Sequence, residues 1–186
     1  MRGAVPSALP AGFLRRRVLD ERTLQACVER IVEARPHVPV DAPRERHSCI
    51  IEEVWDEGEA YIGLRVGVDD DFARTFRQPG QYVTLSPQHL DPRFLVIANA
   101  PRRAWRQGWE FLVDRRTRLG RSIDPLEAGQ TLTISTPEGP GFPIDEATGR
   151  DLLCFVTGSG IAGIRPAIQQ WMDDTDPGPT SITIYY

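Results

Sequence analysis

Residues 151–186 constrain the chain more than any other stretch. Leu152-Leu153-Cys154-Phe155-Val156 is an unbroken apolar run, the pattern of a parallel strand covered on both faces. Thr157-Gly158-Ser159-Gly160-Ile161-Ala162-Gly163 follows at once, and Ile161, Ile164, Ile168 and Trp171 then recur at helical spacing. Residues 175–180 hold two prolines and a glycine and read as a turn. Residues 181–186 read as a second strand. The order strand, glycine turn, helix, turn, strand is that of a βαβ unit. In that setting the G-x-G-x-x-G spacing has a mechanism. Glycine allows a tight turn and a close approach, and the free N–H groups at the helix start face an anion such as a nucleotide phosphate. The plainer alternative is that any strand-to-helix turn favours glycine. Pro166 falls in the early turns of the helix, where a missing N–H costs little.

Upstream the text changes to short strands. Residues 48–55 and 59–68 alternate apolar and polar, with Asp56-Glu57-Gly58 as the hairpin turn. Residues 81–86 follow the Pro79-Gly80 turn, and residues 93–98, 109–114 and 130–135 complete about six strands, the spacing of an antiparallel barrel or sandwich. A short helix is expected over residues 118–126. Residues 1–46 differ from the rest: a Pro- and Ala-rich start, Arg15, Arg16 and Arg17, then an amphipathic helix over residues 20–35 with Leu24, Val28 and Ile31 on one face. The first 19 residues carry four Arg and no acid, a charge pattern similar to a transit peptide; scarce Ser favours a helical extension, or a start codon called too early. The expected organisation is an extension at 1–46, a β domain at 47–150 and an incomplete nucleotide-binding domain at 151–186.

Composition removes several classes of function. A net charge of −4 argues against nucleic acid as the partner. No run of 18 apolar residues exists, so no membrane span is expected. Cys27, Cys49 and Cys154 form no C-x-x-C pair, and His37, His47 and His89 have no ligand spacing, so neither a disulfide framework nor a metal site is indicated. A reduced, cytoplasmic setting fits. All 22 basic residues are Arg, the usage of a GC-rich, bacterial genome, which also removes lysine Schiff-base and P-loop chemistry. The acidic pairs Asp69–Asp71 and Asp173–Asp174 read as solvated charges. Trp105 and Trp109 flank an expected loop, where strand-end packing outweighs contact with an adenine.

Four blocks, in order, resemble the ferredoxin–NADP reductase-like flavin reductases. They are Pro79-Gly80-Gln81-Tyr82-Val83, then Arg93-Phe94-Leu95-Val96-Ile97-Ala98-Asn99-Ala100-Pro101, then Pro137-Glu138-Gly139-Pro140-Gly141-Phe142, and Thr157-Gly158-Ser159-Gly160-Ile161-Ala162. The resemblance implies a six-stranded antiparallel Greek-key flavin barrel followed by the first β-α-β of a Rossmann-like nicotinamide domain. It implies FAD as cofactor, NADH or NADPH as substrate, and hydride or electron transfer to an acceptor or partner protein. Arg93 then takes the flavin pyrophosphate with its guanidinium fork, the plainer alternative being a solvated strand-end arginine. Phe94, Leu95 and Val96 belong to the flavin strand, and Ile97, Ala98 and Asn99 line the isoalloxazine edge. Gly120, Arg121 and Ser122 offer a helix start to the pyrophosphate, although a plain capped helix is the alternative. Thr157, Gly158, Ser159 and Gly160 face the nicotinamide nucleotide.

The chain departs from that pattern in three places. The family motif is Arg-x-Tyr-Ser or Arg-x-Tyr-Thr, and here Leu95 and Val96 occupy its last two positions. Each hydrogen bond to flavin lost in this way is worth ~0.5–1.5 kcal/mol. Gly163 stands where the family usually has proline. Only 36 residues follow Arg150, so a C-terminally truncated nicotinamide domain is expected, with an exposed edge at Ile182, Ile184 and Tyr186. These departures keep open a second reading, a degenerate non-catalytic barrel acting as a binding or assembly subunit.

Overall fold

The computed structural model describes residues 45–87, 90–142, 144–173 and 178–186. The expected helix over residues 20–35, with Cys27, His37, His89 and Asp174, lies outside them. Among the described residues the strands are β1 (Arg46–Glu57), β2 (Tyr61–Gly67), β3 (Tyr82–Ser86), β4 (Arg93–Val96), β5 (Trp109–Asp114), β6 (Thr131–Ser135), β7 (Asp151–Phe155) and β8 (Ser181–Tyr185). The α-helices are α1 (Asp70–Ala73), α2 (Pro101–Gln107), α3 (Arg118–Ile123) and α4 (Ile161–Asp173).

β1 to β6 form an antiparallel sheet in the order β4-β3-β6-β1-β2-β5. The six antiparallel strands expected are therefore present. The outer strands β4 and β5 share no ladder among the described residues. They meet just past β4, where the Ala98 N–H donates to the Glu110 carbonyl at 2.7 Å. β7 and β8 form a separate parallel pair linked through α4. No helix among the described residues is long and apolar enough to cross a membrane.

One irregularity explains the alternation in β1. The register slips between Ile51 and Glu53. Cys49 and Ile51 point into the core, and after the extra residue it is Val54 that packs there. Trp55 consequently turns outward onto Gly63, where an added Cβ would lie 2.0 Å from the indole. The core itself is a single cluster of side chains from five of the six strands, β1, β2, β3, β5 and β6, joined by Phe72, Phe76, Ile97, Ala104, Leu119 and Ile123, with Leu95 of β4 packed against it.

Four expectations change. Residues 101–107 are helical rather than a loop: Pro101 opens α2 at its first position, where its fixed φ suits a helix. Trp105 then donates to the Phe76 carbonyl at 2.8 Å, and Trp109 is wholly buried in the core. Asp69 is not a free turn charge but the cap of α1, accepting from the Phe72 N–H at 2.9 Å. Asp173 is not a free helix-end charge but the partner of Arg103. The apolar run in β7 is covered on one face only. Cys154 and Ile182 lie on the covered face, whereas Leu153 is exposed because alternate residues of a strand point to opposite faces. The outer edge of β8 has no strand partner among the described residues, as expected, although the Ile182 side chain is buried and Tyr186 is exposed.

Candidate functional site

Two of the four sequence blocks build one tight corner. Gly80 and Gly141 both adopt positive φ, +86° and +72°. A Cβ on Gly80 would fall 2.7 Å from the Phe142 ring, so the turn requires glycine for conformation and for space. Phe142 N–H donates to the Pro79 carbonyl at 2.7 Å, and Tyr82 and Glu138 exchange backbone bonds at 3.1 and 2.8 Å. The Gln81 side chain completes the corner. Its oxygen accepts from the Arg77 and Gln78 N–H groups, and its nitrogen donates to the Gly139 carbonyl.

The other two blocks meet that corner. β3 and β4 pair Tyr82 with Val96 and Val83 with Leu95, and the Ile97 N–H continues to the Gln81 carbonyl. Gly163 of α4 then closes in: a Cβ there would lie 3.8 Å from both Val96 Cγ1 and Phe142 Cε2. Tyr82, Val96, Phe142 and Gly163 are thus the meeting point of four segments spread over more than 80 residues.

The residues expected to line the flavin divide by face. Phe94 and Val96 share a face with Tyr82, whose ring meets Phe94 edge-on at 5.3 Å. Leu95 packs against the core on the other face. Ile97 and Ala98 are buried. Asn99 is also buried, and its amide is spent inside the protein: Nδ2 donates to the Gly108 carbonyl at 2.9 Å and Oδ1 accepts from the Glu110 N–H at 3.1 Å. Asn99 thereby supplies the bonds to β5 that a strand continuing β4 would have made.

Arg93 is exposed and makes a long bond to the Pro92 carbonyl. It lines a small concavity with Leu90, Asp91, Arg118 and Leu119 at the start of α3. Neither Arg93 nor Arg118 has an acid partner among the described residues. The remaining expected α3 residues are engaged locally. Thr117 caps the helix by accepting from the Gly120 N–H at 3.0 Å, and a Cβ on Gly120 would lie 2.2 Å from the Asp114 carbonyl. Arg121 bonds the Arg116 carbonyl, and Ser122 bonds the Leu119 carbonyl. Ser122 lines a second cavity with Pro87, Leu126 and Gln130. The structure therefore gathers Arg93 with Arg118, a residue the sequence did not single out, rather than with Arg121 and Ser122.

At the glycine turn, residues Gly158–Gly160 form one 3-10 turn leading into α4. Gly158 has φ +53°. Thr157 makes no cap bond through its side chain, and Thr157, Ser159 and Gly160 are exposed. A Cβ on Gly160 would meet nothing within 4 Å. The protein's own packing thus gives no reason for glycine there, whereas a ligand approaching the backbone would. The Tyr61 hydroxyl stands beside the turn, 3.4 Å from where a Gly158 Cβ would sit, and a hydrogen bond with Tyr186 pushes its phenol up from the ordinary tyrosine value. No motif marks Tyr61. Only the β2–α4 juxtaposition brings it here.

No family model matches the chain. The gamma subunit of sulfhydrogenase 1 from Pyrococcus furiosus is 32% identical over 100 residues, which cover 54% of this chain and 33% of that protein. A ferredoxin NADP+ reductase from Neisseria gonorrhoeae with bound FAD and NADP matches in structure with a TM-score of 0.57 at 16% identity, over 76% of this chain and 57% of that one. Phthalate dioxygenase reductase, described as a modular structure for electron transfer from pyridine nucleotides to a 2Fe-2S centre, matches with a TM-score of 0.60 at 19% identity, over 76% of this chain and 43% of that one. The chain thus spans about a third of the curated relative and about half of these two solved chains.

Proposed function

Since the chain has the fold of the ferredoxin–NADP reductase-like family, we propose that it carries the flavin-binding part and the opening of the nucleotide-binding part of an oxidoreductase. The electrons move between NADH or NADPH, FAD and an acceptor or partner protein. The observation that carries this reading is the convergence at Tyr82, Val96, Phe142 and Gly163, with an arginine pair that has no acid partner among the described residues at the start of β4 and α3 and an open glycine turn on α4. On this reading residues 47–150 close into a barrel around the flavin site and residues 151–186 begin a Rossmann-like domain.

The residues present fit an anionic dinucleotide. Arg93 and Arg118 hold the pyrophosphate, since two guanidinium forks without acid partners suit phosphate oxygens. Bound FAD supplies the hydride-accepting and electron-passing chemistry. The protein's part is placement. Asn99, locked to Gly108 and Glu110, holds residues 97–99 as a fixed wall, and Phe142 fastens the Pro79-Gly80 turn beside Val96. Thr157, Gly158 and Ser159 present backbone N–H groups to the nicotinamide nucleotide, and Gly160, whose N–H goes to the Thr157 carbonyl, leaves room for its approach.

The placement of Leu95 in the core and the lack of a hydroxyl on Val96 favour the second reading, a non-catalytic binding or assembly subunit. Titration of the chain with FAD, followed by quenching of flavin fluorescence, tests both. The expected result is saturable binding that weakens about 10- to 100-fold in Arg93→Ala, the loss of a charged hydrogen bond. Bleaching of the bound flavin by NADH or NADPH supports the oxidoreductase and defeats the assembly subunit; FAD uptake without bleaching fits either reading, since the chain carries only the opening of the nucleotide-binding part. A chain that takes up no FAD defeats the oxidoreductase reading.

A further inference from the structure

α4 is fastened to the six-stranded sheet along one stripe. Arg165, Gln169 and Asp173 are four residues apart, so they stand one above another on the helix. Arg165 Nη2 lies 3.0 Å from Glu110 Oε2. Gln169 Oε1 accepts from the Ala100 N–H at 2.9 Å. Asp173 receives two bonds from Arg103, each 2.6 Å. The three partners come from a single stretch: the residue before α2, its first turn, and β5 just after it. Beside the stripe, Ala162, Gly163, Pro166 and Ala167 are small and buried, which lets the helix backbone come close.

The three contacts are unequal. The Arg103–Asp173 pair is more than a third exposed and screened by solvent. The Gln169 bond is different in kind. Ala100 is buried, at 2% exposed, and its N–H precedes α2, where no helical or strand carbonyl takes it. Without Gln169 a buried donor is left unmade, the costlier side of hydrogen bonding.

We propose that Gln169 is a positioning residue. It holds residues 97–101 in register with α4, so that the glycine turn at the start of α4 and the end of the flavin strand move as one body. Nucleotide bound at the turn is thereby felt at the flavin segment. This rests on the flavin and nucleotide reading of the two sites. The path is short: Gln169 to Ala100, Asn99 to Glu110, Glu110 to Arg165, and back into α4 about one turn below the glycine turn.

Amide hydrogen exchange at Ala100, in the full chain, is the test. In Gln169→Ala the Ala100 amide is expected to exchange about tenfold faster than in the unmodified chain, while Gln169→Glu, whose carboxylate still accepts, keeps it protected. Gln169→Met, of similar length and without an acceptor, gives the same acceleration should the alanine variant fail to fold. Unchanged exchange in the Ala and Met variants overturns the proposal. Adding NAD+ as a probe slows Ala100 exchange further in the unmodified chain and leaves it unaffected in Gln169→Met. Binding of NAD+ with no change at Ala100 overturns the coupling alone. Absence of any NAD+ or FAD binding overturns the functional reading on which it rests, and the coupling with it.

Discussion

In the six-stranded sheet, Trp109, Phe111, Ile51, Leu64 and Ile134 are at most 1% exposed and belong to one cluster. In the β7–α4–β8 unit, Ile182 and Ala167 each keep 5% and Leu153 is left exposed. The first region buries large side chains against one another. The second buries mostly small ones and is held to the first by polar contacts together with the close approach of Gly163 to Val96 and Phe142. A region stabilised by apolar burial is organised from within, whereas one attached through Arg165, Gln169 and Asp173 takes its position from its neighbour.

Substitution can break this contrast. Phe111→Ala should cost about 3–5 kcal/mol in unfolding free energy, the price of a cavity in a packed core. Ile182→Ala should cost about 2 kcal/mol, near the lower end for such truncations, because its surroundings are less enclosed. Chemical denaturation of both variants measures the difference; equal losses would erase the distinction between the two regions.

Smaller effects sharpen it. Arg103 beside Asp173 holds that carboxyl below its ordinary value. A folded value below the unfolded one stabilises at pH above the ordinary carboxylate value of about 3.9 and is lost as pH falls through the folded value. Asp173→Asn should therefore remove up to ~1 kcal/mol at neutral pH, discounted for exposure, and nothing in strong acid. Denaturation at pH 7 and pH 2 reads the difference. Gly163→Ala should have the opposite sign. Its Cβ meets Val96 and Phe142 at ordinary contact distance, and alanine in a helix is favoured by about 0.5–1 kcal/mol over glycine. A rise in the thermal midpoint is expected, and a fall would mean that α4 sits closer to β4 than the structure has it.

Much of the sheet was legible because alternation within a strand reports which face is buried. Six strands were expected near their observed positions. The bulge after Ile51 was not legible, since the pattern of residues 48–55 reads as plain alternation until the partner strand sets the register. α2 escaped for another reason. Its first residue is a proline and its buried face is carried by Pro101 and Ala104 only, so no apolar stripe announces it. The glycine turn was legible as a turn. Gly160 was readable as a glycine without a packing role only once the space around it was known.

The sequence by itself determined the antiparallel strands, the strand–glycine turn–helix–strand unit and the four blocks that carry the family resemblance. Such features are written in local periodicity and in residues whose backbone demands are their own. Tertiary structure alone decided that Arg93 keeps company with Arg118, that Leu95 turns to the core, that Tyr61 stands beside the glycine turn, and that Gln169 reaches the Ala100 N–H across 69 positions. Those pairings depend on where separate elements come to rest, and a buried donor reveals its need for a partner only when the chain has folded around it.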